Sequence, residues 1–178
     1  MKADKISIDQ AKQDKLFYFV ANVVIYRPAD GRCLILQRSQ SEKVHPGKYC
    51  VPGGKLEWSQ LDLTKPTRMN GDVIDFENAI EQLLVREVSE EAGITIEPKL
   101  HYLNNVAFVR PDGIPVILIK LAARYAAGEV RLEPGSFDFF QWVTAQEIEN
   151  YDCIDGIATE VKQTIDLFVQ QLYEPARG

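Results

Sequence analysis

Arg86-Glu87-Val88-Ser89-Glu90-Glu91-Ala92-Gly93 decides how this chain is read. Gly93 is a natural helix C-cap, since glycine reaches the left-handed backbone region without a Cβ penalty. Counting back from it at about 100° per residue, the pattern predicts a helix from about Phe76 to Ala92. Ala79, Ile80, Leu83, Leu84 and Val88 share one half of its circumference, and Glu87, Glu90 and Glu91 fall in that same half. Asn78, Glu81, Gln82 and Ser89 lie opposite, with Val85 the one apolar exception. The three carboxylates thus continue a core-facing stripe, where burial is unfavourable unless they are paired or hold a cation. Arg86 stands four residues before Glu90, within reach on the helix surface. At least two carboxylates remain without a partner nearby in sequence. Three oxygen donors on one helix suit a hard cation such as Mg²⁺, which keeps waters and takes phosphate oxygens as further ligands. Such a cation lowers the pKa of an attacking water. The competing reading is a solvated acidic helix end, and the position of the carboxylates on the wheel speaks against it.

Upstream, Phe17 to Tyr26 and Cys33 to Gln37 are β-branched and aromatic runs joined by Ala29-Asp30-Gly31-Arg32, a hairpin signal. A polar loop from Arg38 to Lys48 leads to Tyr49-Cys50-Val51 and then Pro52-Gly53-Gly54-Lys55-Leu56-Glu57. Trp58 to Asp75 has no helical period and carries the breakers Lys65-Pro66 and Asn70-Gly71. Downstream, Leu100 to Phe108 and Ile114 to Tyr125 read as strands about the turn Pro111-Asp112-Gly113, with a further strand over Phe137 to Val143. A last helix is expected from about Gly156 to Tyr173, with Ile157, Val161, Ile165, Phe168, Val169 and Leu172 at helical spacing. This order implies an α/β fold, a mixed sheet covered by helices.

Gly53-Gly54-Lys55-Leu56-Glu57, with Arg86-Glu87-Val88-Ser89-Glu90-Glu91-Ala92-Gly93-Ile94, resembles the Nudix box, G-x5-E-x7-R-E-U-x-E-E-x-G-U with U aliphatic. The second half matches at every specified position, and His45-Pro46-Gly47-Lys48-Tyr49 and Phe140-Gln141-Trp142-Val143 resemble the usual flanks. The box departs from the pattern in its first half. Asn78 stands where the first glutamate is expected, beside Glu77, and 23 residues rather than five separate it from Gly54. The excess is an insertion at about 58–75 inside the box.

The resemblance implies a Nudix fold, a mixed β-sheet sandwiched between helices, in one domain over residues 1–178. It implies that Glu87, Glu90 and Glu91, with the Gly53 carbonyl, ligate Mg²⁺ or Mn²⁺. Arg86 would orient the glutamates, and the catalytic set would be Glu87, Arg86 and Glu90. The base would be Glu87 or an acid from a later loop, Glu133 or Asp138, although each of the latter two reads more readily as a plain surface acid. The implied activity is hydrolysis of a phosphoanhydride bond in a nucleoside diphosphate derivative, foremost a nucleoside triphosphate as in MutT-like members. ADP-ribose or another nucleotide sugar comes second, and a nucleotide-sensing domain without catalysis third.

Arg38, Lys48 and Lys55 flank the site and are the candidate phosphate contacts. Tyr18 and Trp58 are candidate stacking residues, though large aromatics more often serve the core. The insertion, with Lys65 and Arg68, is a candidate lid, dimer contact or neutral loop. His45 is expected to shape its loop, and Cys50 to be a structural thiol. A net charge of −6 argues against nucleic-acid polymers as partners. A small nucleotide is still accommodated, because a bound metal inverts the local field. Three cysteines, an odd number without close spacing, argue against a disulfide framework. The polar Met1 to Lys15 lacks a signal peptide's apolar stretch, and no run is long enough to span a membrane. A cytoplasmic protein is expected, with a homodimer left open.

Overall fold

The computed structural model describes residues 17–62 and 64–173. In chain order it contains β1 (Tyr18–Arg27), β2 (Arg32–Arg38), β3 (Tyr49–Cys50), β4 (Gly53–Lys55), a 3₁₀ turn (Trp58–Gln60), β5 (Arg68–Asn70) and β6 (Val73–Asp75). There follow α1 (Ala79–Ala92), β7 (Thr95–Ile96), β8 (His101–Val109), β9 (Pro115–Ala127), β10 (Phe137–Val143), a second 3₁₀ turn (Glu147–Asn150) and α2 (Ile157–Tyr173). Eight strands form one sheet along the path β10-β2-β1-β9-β7, with β3 added to β2, β4 to β1 and β8 to β9. The sheet is mixed: β1 runs parallel to β9 and antiparallel to β2 and β4. The expected α/β sandwich is the fold observed.

Strand alternation divides the core into two layers. From β1, Ala21, Val23 and Ile25 pack with Leu83, Leu84, Val88 and Ala92 of α1. Val24 and Tyr26 point the other way, onto Ile157, Val161 and Phe168 of α2. The apolar stripe of each helix is therefore matched to one face of one strand. The α2 side also buries charge. Lys120 of β9 is ion-paired with Glu160 of α2, both almost fully buried. Glu160 Oε2, Thr164 Oγ1 and the Oδ1 of Asn22, Lys120's register partner on β1, have no protein hydrogen-bond partner.

One expectation is revised. The helix begins three residues later than predicted, because Asn78 caps it with a left-handed backbone (φ 57°), leaving Phe76 and Glu77 outside. Residues 58–75 contain no α-helix among those described, in keeping with their lack of helical period, and the Asn70-Gly71 signal marks a turn. They hold the β5–β6 hairpin, with Met69 opposite Ile74 and a turn at Gly71 (φ 60°). Two-strand pairing over three residues leaves too short a run for periodicity to reveal. Also unread in the sequence are β4 and β7. The expectation for Met1 to Lys15 lies outside the described residues, as does the side chain of Leu172. Among the described residues, no helix is long and apolar enough to cross a membrane.

Candidate active site

The site forms where β4 and the turn after it lie along the last two turns of α1. Strand β4 is tied to β1 by the register Ala21 to Gly54 and Asn22 to Gly53. Both glycines are dictated by close approach. A Cβ on Gly53 would collide with the β1 backbone at Ala21 and Asn22, and one on Gly54 would collide with the Glu87 carboxylate. The Gly53 N–H donates to Glu91 Oε2 at 3.0 Å. Arg86 donates from Nη2 to Glu87 Oε1 at 2.7 Å and from Nη1 to Glu90 Oε2 at 2.8 Å. Gly93 ends the helix as expected, with φ 68° and its N–H bonded to the Ser89 carbonyl.

The acids differ in environment. Glu87 is half-buried, and burial raises its pKa against the lowering effect of Arg86. Glu91 is pushed up to about 8, again chiefly by burial, with the Gly53 hydrogen bond opposing and the charges of Glu87 and Glu133 adding to the rise. Glu90 stands at the rim, its side chain 51% exposed. The predicted inward stripe therefore holds for Glu87 and Glu91 but not for Glu90, which is one residue round the helix from the core and pairs with Arg86.

Whether these residues suit a metal can be judged from their own chemistry. Of the two desolvated carboxylates only Glu87 meets the Arg86 guanidinium, while Glu91 has the Gly53 N–H, an excess of buried acid that a hard cation relieves. Among the described residues, no three His, Cys, Asp or Glu side chains are already drawn together around one point. The donor types fit a divalent ion, and Arg86 pairs with two of them, Glu87 and Glu90. At Gly53 the group seen engaged is the N–H.

Arg38 donates to the Val44 carbonyl at 2.7 Å and pairs with Glu42, holding its own loop, while its charge reaches Glu91. Lys48 turns to Asp152 at 2.6 Å. Lys55 pairs with Glu57 at 3.2 Å and lies 5.2 Å from the centre of the Tyr18 ring, with Arg110 at 5.5 Å. Two cations thus lie near the Tyr18 ring, one of them, Arg110, not singled out in the sequence. Glu133 is brought to the carboxylates: its N–H donates to the Glu91 carbonyl at 3.1 Å, and its charge raises both Glu87 and Glu91. Asp138 instead accepts from the Gln40 N–H at 3.3 Å. Glu77, which stands beside Asn78 in the box, faces Arg68 at 3.1 Å. His45 adopts φ 51° in an exposed loop. Cys50 is buried, and that burial raises its thiol to about 12. The side chain of Trp58 lies outside the described residues. The contact of Gln60 with Arg86 was not foreseen, since nothing in sequence links positions so far apart.

A glutamate-bearing helix clasped by a Gly-Gly strand, on a mixed sheet between two helices, belongs to one class of enzyme, the Nudix hydrolases. The NUDIX domain family model matches residues 18–163, and the chain belongs to that family. No curated protein matches it in sequence. Among solved structures, a MutT protein from Methanosarcina mazei Go1 is 20% identical with a TM-score of 0.58, over 92% of this chain and 100% of that one. An Ap4A hydrolase from C. elegans, solved as a binary complex, is 19% identical with a TM-score of 0.57, over 86% and 98%. The NUDIX domain of Shewanella oneidensis NrtR, complexed with ADP ribose, is 17% identical with a TM-score of 0.57, over 89% and 90%. At such identities these likenesses speak for the fold.

Proposed function

We propose that the chain hydrolyses a phosphoanhydride bond in a nucleoside diphosphate derivative, with a nucleoside triphosphate as the foremost substrate. The observation that carries this reading is the desolvated pair Glu87 and Glu91, set against Gly54 and Gly53, with Glu87 paired to Arg86 and Glu91 accepting from the Gly53 N–H. Glu87, Glu90 and Glu91, with the Gly53 carbonyl, would hold Mg²⁺ or Mn²⁺, which when bound offsets diphosphate charge and acidifies the attacking water. Arg86 keeps Glu87 and Glu90 apart and oriented. Glu133, beside them, joins Glu87 as a candidate acceptor of the proton that water releases on attacking phosphorus. Tyr18 offers a ring face for a base, and Lys55 and Arg110 offer positive charge for phosphate. The partner is a small nucleotide, handled by one domain that carries the insertion.

Asn78 bears on the sensor reading. Its left-handed backbone favours asparagine over glutamate, so the missing glutamate follows from how the insertion enters α1. The full set Arg86, Glu87, Glu90 and Glu91 is kept, which supports hydrolysis over sensing. A panel of nucleoside triphosphates, ADP-ribose and nucleotide sugars, assayed with and without Mg²⁺ for released phosphate or pyrophosphate, tests the proposal. Glu91→Gln is expected to lower turnover by about a hundredfold or more. Wild-type turnover in that variant would remove the metal assignment. Tight nucleotide binding without turnover of any compound would favour the sensor, and turnover confined to ADP-ribose would favour the nucleotide-sugar reading.

A further inference from the structure

The inserted residues, a candidate lid on sequence grounds, engage their cations internally. Lys65 pairs with Asp62 at 3.5 Å, and Arg68 pairs with Asp75 at 2.9 Å and Glu77 at 3.1 Å. What reaches the site is Gln60, whose Oε1 accepts from Arg86 Nη2 at 3.0 Å. The same nitrogen donates to Glu87, while Nη1 donates to Glu90. A guanidinium is a rigid planar fork, so fixing one arm sets the direction of the others.

Gln60 is itself held, its N–H donating to the Glu57 carbonyl at 3.0 Å in the turn after β4. Three contacts therefore run in order along the helix: Gly53 to Glu91, Gly54 against Glu87, and Gln60 to Arg86. The far end of the insertion is tied to the helix start. Thr67 Oγ1 accepts from the Glu77 N–H at 3.3 Å, and Gln82 Nε2 donates to the Glu77 carbonyl at 3.4 Å. The segment is thus tied at Gln60 to Arg86 and at Thr67 to Glu77, just before α1.

We propose that the insertion is a brace on α1, and that Gln60 is a positioning residue that fixes Arg86 between Glu87 and Glu90. The proposal rests on the hydrolytic reading of the same site. Without Gln60 the guanidinium swings toward one carboxylate and leaves the other unpaired. Gln60→Ala is expected to lower kcat about three- to tenfold with KM changed by less than about twofold. Gln60→Glu, which keeps the acceptor oxygen, recovers most of the rate.

A second readout needs no turnover. In ¹⁵N–¹H spectra of the metal-free full chain, the Arg86 side-chain N–H signals are expected to be protected from exchange. They lose that protection in Gln60→Ala and regain it in Gln60→Glu. Unchanged kcat together with unchanged Arg86 signals overturns the brace. So does a rise in KM at constant kcat, which would make Gln60 a substrate contact. If the parent chain cleaves nothing in the panel, the hydrolytic reading fails, while the Arg86 signals still decide the brace.

Discussion

Gly54 is the residue at which the strand and the helix are fitted to each other. Its missing Cβ is the space occupied by the Glu87 carboxylate. A carboxylate end is mobile enough to step aside, so Gly54→Ala is expected to spare the fold and harm the chemistry. The predicted outcome is a kcat lowered at least about tenfold with an unfolding midpoint within about 4 °C of the parent. Near-parent turnover would show that Glu87 need not stand where the structure places it. Glu87 and Glu91 belong to a motif legible in sequence. The approach of Gly54 to Glu87 is a contact across 33 positions that only the pairing of β4 with β1 creates.

At the scale of elements, α2 is joined to β9 by the buried pair Lys120–Glu160, beneath Gly156 at the helix start, where a Cβ would meet both charged groups. Burial raises the pKa of Glu160, and Lys120 opposes that rise. Breaking a buried pair from one side leaves an uncompensated charge. Lys120→Ala is therefore expected to destabilise by about 3–5 kcal/mol, whereas the double replacement Lys120→Met with Glu160→Leu is expected to lie within about 1–2 kcal/mol of the parent or above it. Urea unfolding of the three proteins measures both. Equal loss in single and double variants would mean that packing, and not charge pairing, holds this junction. The amphipathic period of α2 announces a helix, yet Glu160 and Thr164 on its buried side carry no signal in sequence of the lysine they meet.

The molecule as a whole carries more buried acid than buried base at its site, and this sets a pH dependence in the metal-free chain. Glu91 titrates near 8 in the fold and near the ordinary carboxylate value of about 4.3 when unfolded. Between those values the folded chain retains a proton that the unfolded chain has released, so stability falls as pH rises through this window. Glu87 contributes with the same sign. The thermal midpoint of metal-free protein should decline from about pH 5 to about pH 8, and Glu91→Gln should flatten the decline. Mg²⁺ should raise the midpoint more at the alkaline end, because the ion takes the place of the proton. A midpoint that climbs across the window would show that Glu91 is not desolvated.

The fold class, the seven longest elements and the acidic motif were all legible in the sequence, because each rests on local pattern: β-branched and aromatic runs in β1 and β2, strand runs beside turn signals in β8 to β10, and the helical stripes of α1 and α2. Gly93 likewise announced the end of α1 through its own backbone freedom. Tertiary structure alone decided which acids are desolvated, that Glu133 joins them while Asp138 and Glu77 do not, and that the insertion fastens to α1 through Gln60. The physical reason is range. Propensity and period act over a few residues, whereas burial, charge and close approach are set by chain segments brought together from afar.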